Sequence, residues 1–249
     1  MSVLSSFVAT THAAAVSAID RVNRLPDGTS TLIFRLLHDG RADLSVLGPR
    51  TRALYKFAPP TRAVAKVVFR PGAGYPFFDV PLAELTDRVV SLRDLWGPQA
   101  DALLDKLVHA DTDAQRLAVM RGALVDKLRA PAVFEPAAAP VVRETIRQLA
   151  VPQTAVHDVA HKLNVSERHL RRAFLEVVGI SPKRYARIMR FRQAVARASN
   201  GAMVWSAIAA ESGYFDQAHM CAEFQDLAGI TPMALLRQDT VEALRQTCT

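Results

Sequence analysis

Cysteine is nearly missing from this chain of 249 residues. The two that occur, Cys221 and Cys248, cannot build a disulfide framework or a four-cysteine metal site, and both read as reduced thiols. Long apolar runs are missing as well. Half of the residues are hydrophobic, yet no stretch approaches the roughly 18 uninterrupted apolar residues of a membrane span. Met1 to Ala15 also lacks the basic start of a signal peptide, so the chain is expected in the cytoplasm, away from the membrane. No nucleophile–base–acid set, phosphate-cradling glycine loop or pair of catalytic carboxylates stands out, so neither enzyme activity nor a cofactor is expected. His157 and His161 have the spacing of two ligands on one helical face. A third ligand is missing from the pattern, and no metal is expected there.

Acidic residues are scarce in one region in particular. Residues 140–200 hold twelve Lys and Arg against four acids, a net +8, whereas residues 201–249 hold two Arg against six acids, a net −4. The chain as a whole carries +7, which leaves +3 for residues 1–139. Positive charge gathered in one stretch is the electrostatic footprint of a polyanionic partner.

What is present falls into two parts. Thr31–Leu37, Asp43–Leu47 and Ala63–Phe69 are short runs rich in β-branched residues, separated by Pro26-Asp27-Gly28, Asp39-Gly40, Gly48-Pro49 and Pro59-Pro60. They predict strands, and Arg70 to Pro76 predicts a loop. Helical spacing follows at Leu82–Leu85, Leu92–Trp96, Pro98–His109 and Thr112–Arg129, the last with Leu117, Met120, Leu124 and Leu128 on one face. That face suits the core, or else a dimer seam. Aromatics are few, 7% of the chain; Tyr75, Phe77, Phe78 and Trp96 are the candidates for an effector pocket. Ala130 to Pro140, rich in alanine and proline, marks a linker. The expected fold class is α+β. Residues 1–130 would form a small β-rich, barrel-like regulatory or dimerisation domain with flanking helices, 131–140 the linker, and 141–249 an all-α domain.

The all-α part contains one pattern written twice. Val159-Ala160, Ser166, Leu170, Phe174 and Gly179-Ile180-Ser181-Pro182 are answered by Ile208-Ala209, Asp216, Met220, Phe224 and Gly229-Ile230-Thr231-Pro232. Phe174 and Phe224 lie 50 residues apart, Ala160 and Ala209 49. Each copy reads as helix, turn, helix, and Lys183 to Ser199 as a long helix joining them. Ser166 suits an N-cap, while Leu170, Phe174 and Val177 form an apolar stripe opposite Arg168, Arg171 and Arg172.

These residues, above all Gly213-Tyr214-Phe215-Asp216-Gln217-Ala218-His219-Met220 and the two Gly-Ile-Ser/Thr-Pro endings, resemble the DNA-binding domain of AraC/XylS-type transcriptional regulators over about residues 140–238. The resemblance implies two helix-turn-helix units with recognition helices in successive major grooves of double-stranded DNA, acting on transcription initiation and hence near RNA polymerase. It maps base reading onto Arg168, Arg171 and Arg172 in the first unit, and onto the face of Gln217, Ala218, His219, Cys221 and Ala222 in the second, where Gln217 and His219 carry the polar chemistry. Phosphate contacts are expected from Lys162, Lys183, Arg184, Arg187 and Arg190. Relatives often place a basic residue near Ala222 and an aromatic at Met220. Glu223 and Asp226 are expected to repel phosphates, so the second unit should contribute less affinity. Residues 24–28, 48–52, 69–72 and 85–90 resemble an N-terminal domain of a subgroup of the family, a type that binds a small effector, forms homodimers, or both.

Overall fold

A computed structural model describes residues 3–16, 20–131, 136–199 and 204–237. Cys248 and residues 132–135 of the linker stretch lie outside the described residues, and the end of that stretch, Ala139 and Pro140, already belongs to a helix.

The N-terminal part is built on two antiparallel sheets. Strands β1 (Val8–Val16), β6 (Thr61–Phe69), β3 (Thr31–Leu37), β4 (Ala42–Leu47) and β7 (Val89–Ser91) form one sheet in that order, while β2 (Asp20–Arg24) and β5 (Leu54–Ala58) pair as a ribbon. The pleat sorts the side chains of the large sheet. Leu32, Phe34 and Leu36 of β3 pair with Val67, Ala65 and Ala63 of β6, and all six are buried on one face. Helices α3 (Pro98–Val108) and α4 (Asp113–Arg129) cover that face with Ala100, Leu103, Leu107, Met120 and Leu124. The apolar stripe predicted on α4 thus belongs to the chain's own core. A capping box of Thr112 and Gln115 starts α4.

Arg70 to Pro76, predicted as a loop, turns at Gly72 and then enters a one-turn helix, α1 (Tyr75–Phe78). Phe77 and Phe78 stack against Phe69, and the indole Nε1–H of Trp96, at the end of α2 (Leu92–Trp96), donates to the carbonyl of Phe77 at 2.7 Å. These rings therefore lie in the sheet–helix core.

Among the described residues the secondary structure of the C-terminal part is all helical: α5 (Ala139–Leu149), α6 (Val156–Lys162), α7 (Glu167–Val178), α8 (Pro182–Ser199), α9 (Trp205–Glu211), α10 (Gln217–Ala228) and α11 (Pro232–Arg237). Its core is a second cluster, formed by residues 139–235 together with Leu25. Helix α8, about 27 Å long at 1.5 Å per residue, contributes Ile188, Phe191, Ala194 and Val195 to that core between the two units. Phe191 meets Phe224 of α10 with ring centroids 4.6 Å apart.

Candidate nucleic-acid interface

The duplicated sequence produces a duplicated backbone. In the first unit α6 ends with Asn164 in the left-handed region (φ 52°), and the N–H of Val165 donates back to the carbonyl of Ala160 at 3.0 Å. In the second, Gly213 (φ 80°) takes that corner and the N–H of Tyr214 donates to the carbonyl of Ala209 at 2.9 Å. The recognition helices are capped alike. Ser166 Oγ accepts from the N–H of His169 at 3.2 Å, and Asp216 Oδ1 accepts from the N–H of His219 at 2.7 Å. Each helix ends at a left-handed glycine, Gly179 or Gly229.

Between α7 and α10, with α8 as its floor, runs an open groove of about 1170 Å³. Arg168 and Arg171 line it from α7, His219 and Ala222 from α10, Lys183, Arg187 and Arg190 from α8, and His157 from α6. Of the base-reading candidates the groove therefore gathers Arg168, Arg171 and His219. Arg172 and Gln217 are exposed on the same two helices outside its lining.

The expected phosphate contacts divide into two kinds. Lys162 and Lys183 are exposed. Arg184, Arg187 and Arg190 instead face the acids of α10. Glu223, with 2% of its side chain exposed, accepts from Arg190 at 2.9 Å and lies 3.4 Å from Arg187 and 3.6 Å from His219. Asp226 accepts from Arg184 at 3.0 Å, from Arg187 at 2.8 Å and from Arg52 at 3.0 Å. The arginine of this ladder nearest Glu223 also rests on Tyr214, its guanidinium carbon 5.1 Å from the ring centre. The expectation that Glu223 and Asp226 would repel DNA is corrected by this geometry: their charges are already matched by arginines. The unequal charges of the two units, read separately along the sequence, meet in space.

The N-terminal domain grips the tail of each recognition helix. Thr86 Oγ1 donates to the carbonyl of Gly179 at 2.6 Å, behind α7. Behind α10, the N–H of Ala53 donates to the carbonyl of Leu227 at 2.8 Å and the hydroxyl of Tyr55 to that of Ala228 at 2.8 Å. The loop that makes the second grip is itself pinned, because Asp87 accepts from the N–H and the hydroxyl of Thr51 at 2.9 and 2.6 Å. A β-carbon on Gly179 would lie 2.7 Å from the carbonyl oxygen of Leu82, so only glycine permits this approach.

A cavity of about 730 Å³ opens where the two parts meet. Its wall is the uncovered face of the large sheet, because Ile33 pairs with Lys66 and Thr31 with Val68, and all four line it with Leu47. Ile146, Met189, Arg143 and Arg192 close it from the helical side. Of the four aromatic candidates only Tyr75 lines this cavity. Phe77, Phe78 and Trp96 are used in the core, as described above. The residue missed from sequence is Lys66: burial lowers its pKa, and nearby Arg24 lowers it further. Asp27, the one acid among the lining residues, lies 3.6 Å from Arg24. A lysine inside Ala63-Val64-Ala65-Lys66-Val67-Val68-Phe69 was the available signal, since it breaks an apolar run at a position facing inward.

Comparison with known families matches a helix-turn-helix domain to residues 159–238. Those residues therefore carry a helix-turn-helix domain of the AraC type. A domain of unknown function, DUF6597, matches residues 2–91. No curated protein matches the chain. Among solved structures, ToxT from Vibrio cholerae is similar at 11% identity over 98% of each chain, with a TM-score of 0.43. ToxT bound to an unsaturated fatty acid is similar at 10% identity, over 93% of this chain and 95% of that one, with a TM-score of 0.42. Its complex with (E)-4-(8-methylnaphthalen-1-yl)but-3-enoic acid gives 12%, 97% and 99%, and 0.44. The helix-turn-helix match spans both repeats and supports a DNA-binding transcriptional regulator. Among the described residues no helix is long and apolar enough to cross a membrane, and no group of three or more His, Cys, Asp and Glu gathers as a metal site.

Proposed function

We propose that residues 141–249 bind two successive major grooves of a specific operator, and that residues 1–130 make this binding responsive to a small organic anion. The observation that carries the first part is the cationic groove between α7 and α10. Arg168 and Arg171 enter one groove, where an arginine donates paired hydrogen bonds to guanine O6 and N7. Gln217 and His219 enter the next, with Arg172 beside the first set and Lys162 and Lys183 on phosphates. Selecting bound sequences from a random DNA pool with the full chain tests this reading. A two-part consensus is the expected result, and an unenriched pool would overturn it. Arg171→Ala is expected to weaken binding to the selected site by roughly 1–3 kcal/mol.

The second part rests on Lys66, a half-buried cation in a cavity that both domains line with apolar side chains and arginines. A ligand with one carboxylate or phosphate and an apolar body would place its charge on Lys66 and its body against Ile33, Val68 and Met189. Such a ligand touches both domains, which is what coupling to DNA binding needs. Thermal-shift screening of small organic acids is expected to give a saturable rise in melting temperature that Lys66→Met removes. A screen with no hits favours the alternative, a constitutive regulator whose N-terminal domain is structural. Because α3 and α4 use their apolar stripes internally, a homodimer would use another face, and sedimentation with and without DNA reports on it.

A further inference from the structure

The two copies of the repeat do not keep one offset. Ala160 and Ala209, Asn164 and Gly213, Val165 and Tyr214 correspond at 49 residues, and the matching backbone hydrogen bonds of the two turns fix that correspondence. The caps Ser166 and Asp216, and everything after them to Phe174 and Phe224, correspond at 50. One residue has therefore been added to the second turn, between Tyr214 and Asp216, and it is Phe215.

The turn has no room inside for the addition. Tyr214 fills the inward position, buried, with its ring edge-on to His219 at 5.5 Å. Phe215 is pushed outward and is 93% exposed. Isolated apolar residues on a surface are ordinary, but this one stands immediately before the cap of α10, at the end of a recognition helix that enters DNA first. It is continuous with the groove, since its N–H faces Nδ1 of His219 at 3.4 Å and His219 lines the groove. The helix behind it offers few hydrogen-bonding groups to a base: Ala218 and Ala222 have none, and Glu223 is buried among arginines.

We propose that Phe215 is a specificity determinant of the second unit, packing its ring on the C5-methyl group of a thymine in the second half-site. Apolar contact is one of the ways a protein tells thymine from the other bases, and it suits a unit that has lost cationic reach. The inference rests on the DNA-binding reading above.

The experiment uses the full-length chain and the operator selected from random DNA, with each thymine of the second half-site replaced in turn by deoxyuridine, which deletes only the methyl group. One such replacement is expected to weaken the wild-type protein about three- to tenfold. Phe215→Ala should bind the thymine site more weakly and show no further loss with deoxyuridine. Phe215→Leu should keep part of the discrimination, and the thermal unfolding of both variants should match wild type, because the ring packs against nothing in the fold. A second half-site selected without thymine overturns the proposal, and so does Phe215→Ala binding like wild type. Equal weakening of thymine and deoxyuridine sites by Phe215→Ala also overturns it and moves the ring to the sugar–phosphate edge. Loss of transcriptional output with unchanged DNA binding overturns it in favour of a protein contact. If the wild type selects no sequence at all, the DNA-binding reading itself falls.

Discussion

Asn164 and Gly213 hold the same left-handed corner in the two units, and they hold it with different ease. Asparagine tolerates this conformation through its short polar side chain, whereas glycine has no β-carbon to clash. Gly213→Ala is expected to cost roughly 1–2 kcal/mol, because a β-carbon would also lie 3.2 Å from Cγ of Gln153. Asn164→Gly should change stability by less than about 0.5 kcal/mol; thermal denaturation followed by circular dichroism compares the two. Lys66 makes a separate prediction. Its folded-state pKa lies below that of an ordinary lysine, first through burial and then through Arg24, so the ammonium loses its proton before the usual range near 10.5 is reached. Binding of an organic anion should therefore decline as pH rises, earlier than an ordinary lysine would give, and Lys66→Met should remove both the binding and its pH dependence.

At the scale of elements, the arginine–carboxylate ladder fastens α8 to α10. Removing Glu223 would leave Arg187 and Arg190 facing each other without their shared acceptor. Glu223→Ala is expected to destabilise the protein by roughly 1–3 kcal/mol. It should also steepen the salt dependence of DNA binding by about one unit of slope for each arginine that turns to a phosphate. None of this was legible in the sequence, because counting charge along the chain assigns the arginines to one unit and the acids to the other. The helices and the repeat were legible, since capping residues, proline starts and a 3.6-residue stripe are local signals. Strands β3, β4 and β6 were legible for a similar reason, being β-branched and buried. Strand β1, Val-Ala-Thr-Thr-His-Ala-Ala-Ala-Val, was not: it owes its conformation to β6, along which it pairs from Val8 to Val16. Strands β5 and β7, short and mostly exposed, likewise depend on partners distant in sequence. The cavity escaped for the same reason, because pairing across strands brings Ile33 and Lys66 to one wall while the aromatic residues nearest in sequence turn into the core.

Seen whole, the molecule is joined across its two parts by contacts that pH can reach. Burial pushes the Asp226 carboxyl up, but hydrogen bonds from Arg187 and Arg184 outweigh it and hold the group below its usual value of 3.8. A depressed folded pKa means that the stabilisation is complete above the usual value and is lost as pH falls through the folded one. The melting temperature should therefore drop below about pH 4, and Asp226→Asn, already lacking the charge, should show a shallower drop; calorimetry across pH 2–7 measures both. Hydrogen bonds from Arg147 and Gln148 hold Glu144 down at about 2, so its contribution disappears from the same acid limb, within α5.

Thr86 and Tyr55 each hold one carbonyl at the tail of a different recognition helix, and both stand on the same N-terminal domain. That domain is thus a gauge block set between two blades. On the proposed two-groove reading, the number of base pairs separating the half-sites is set by its breadth as well as by the length of α8. Two regulators with identical base-reading residues, but with N-terminal domains of different width at these two grips, would read operators of different spacing.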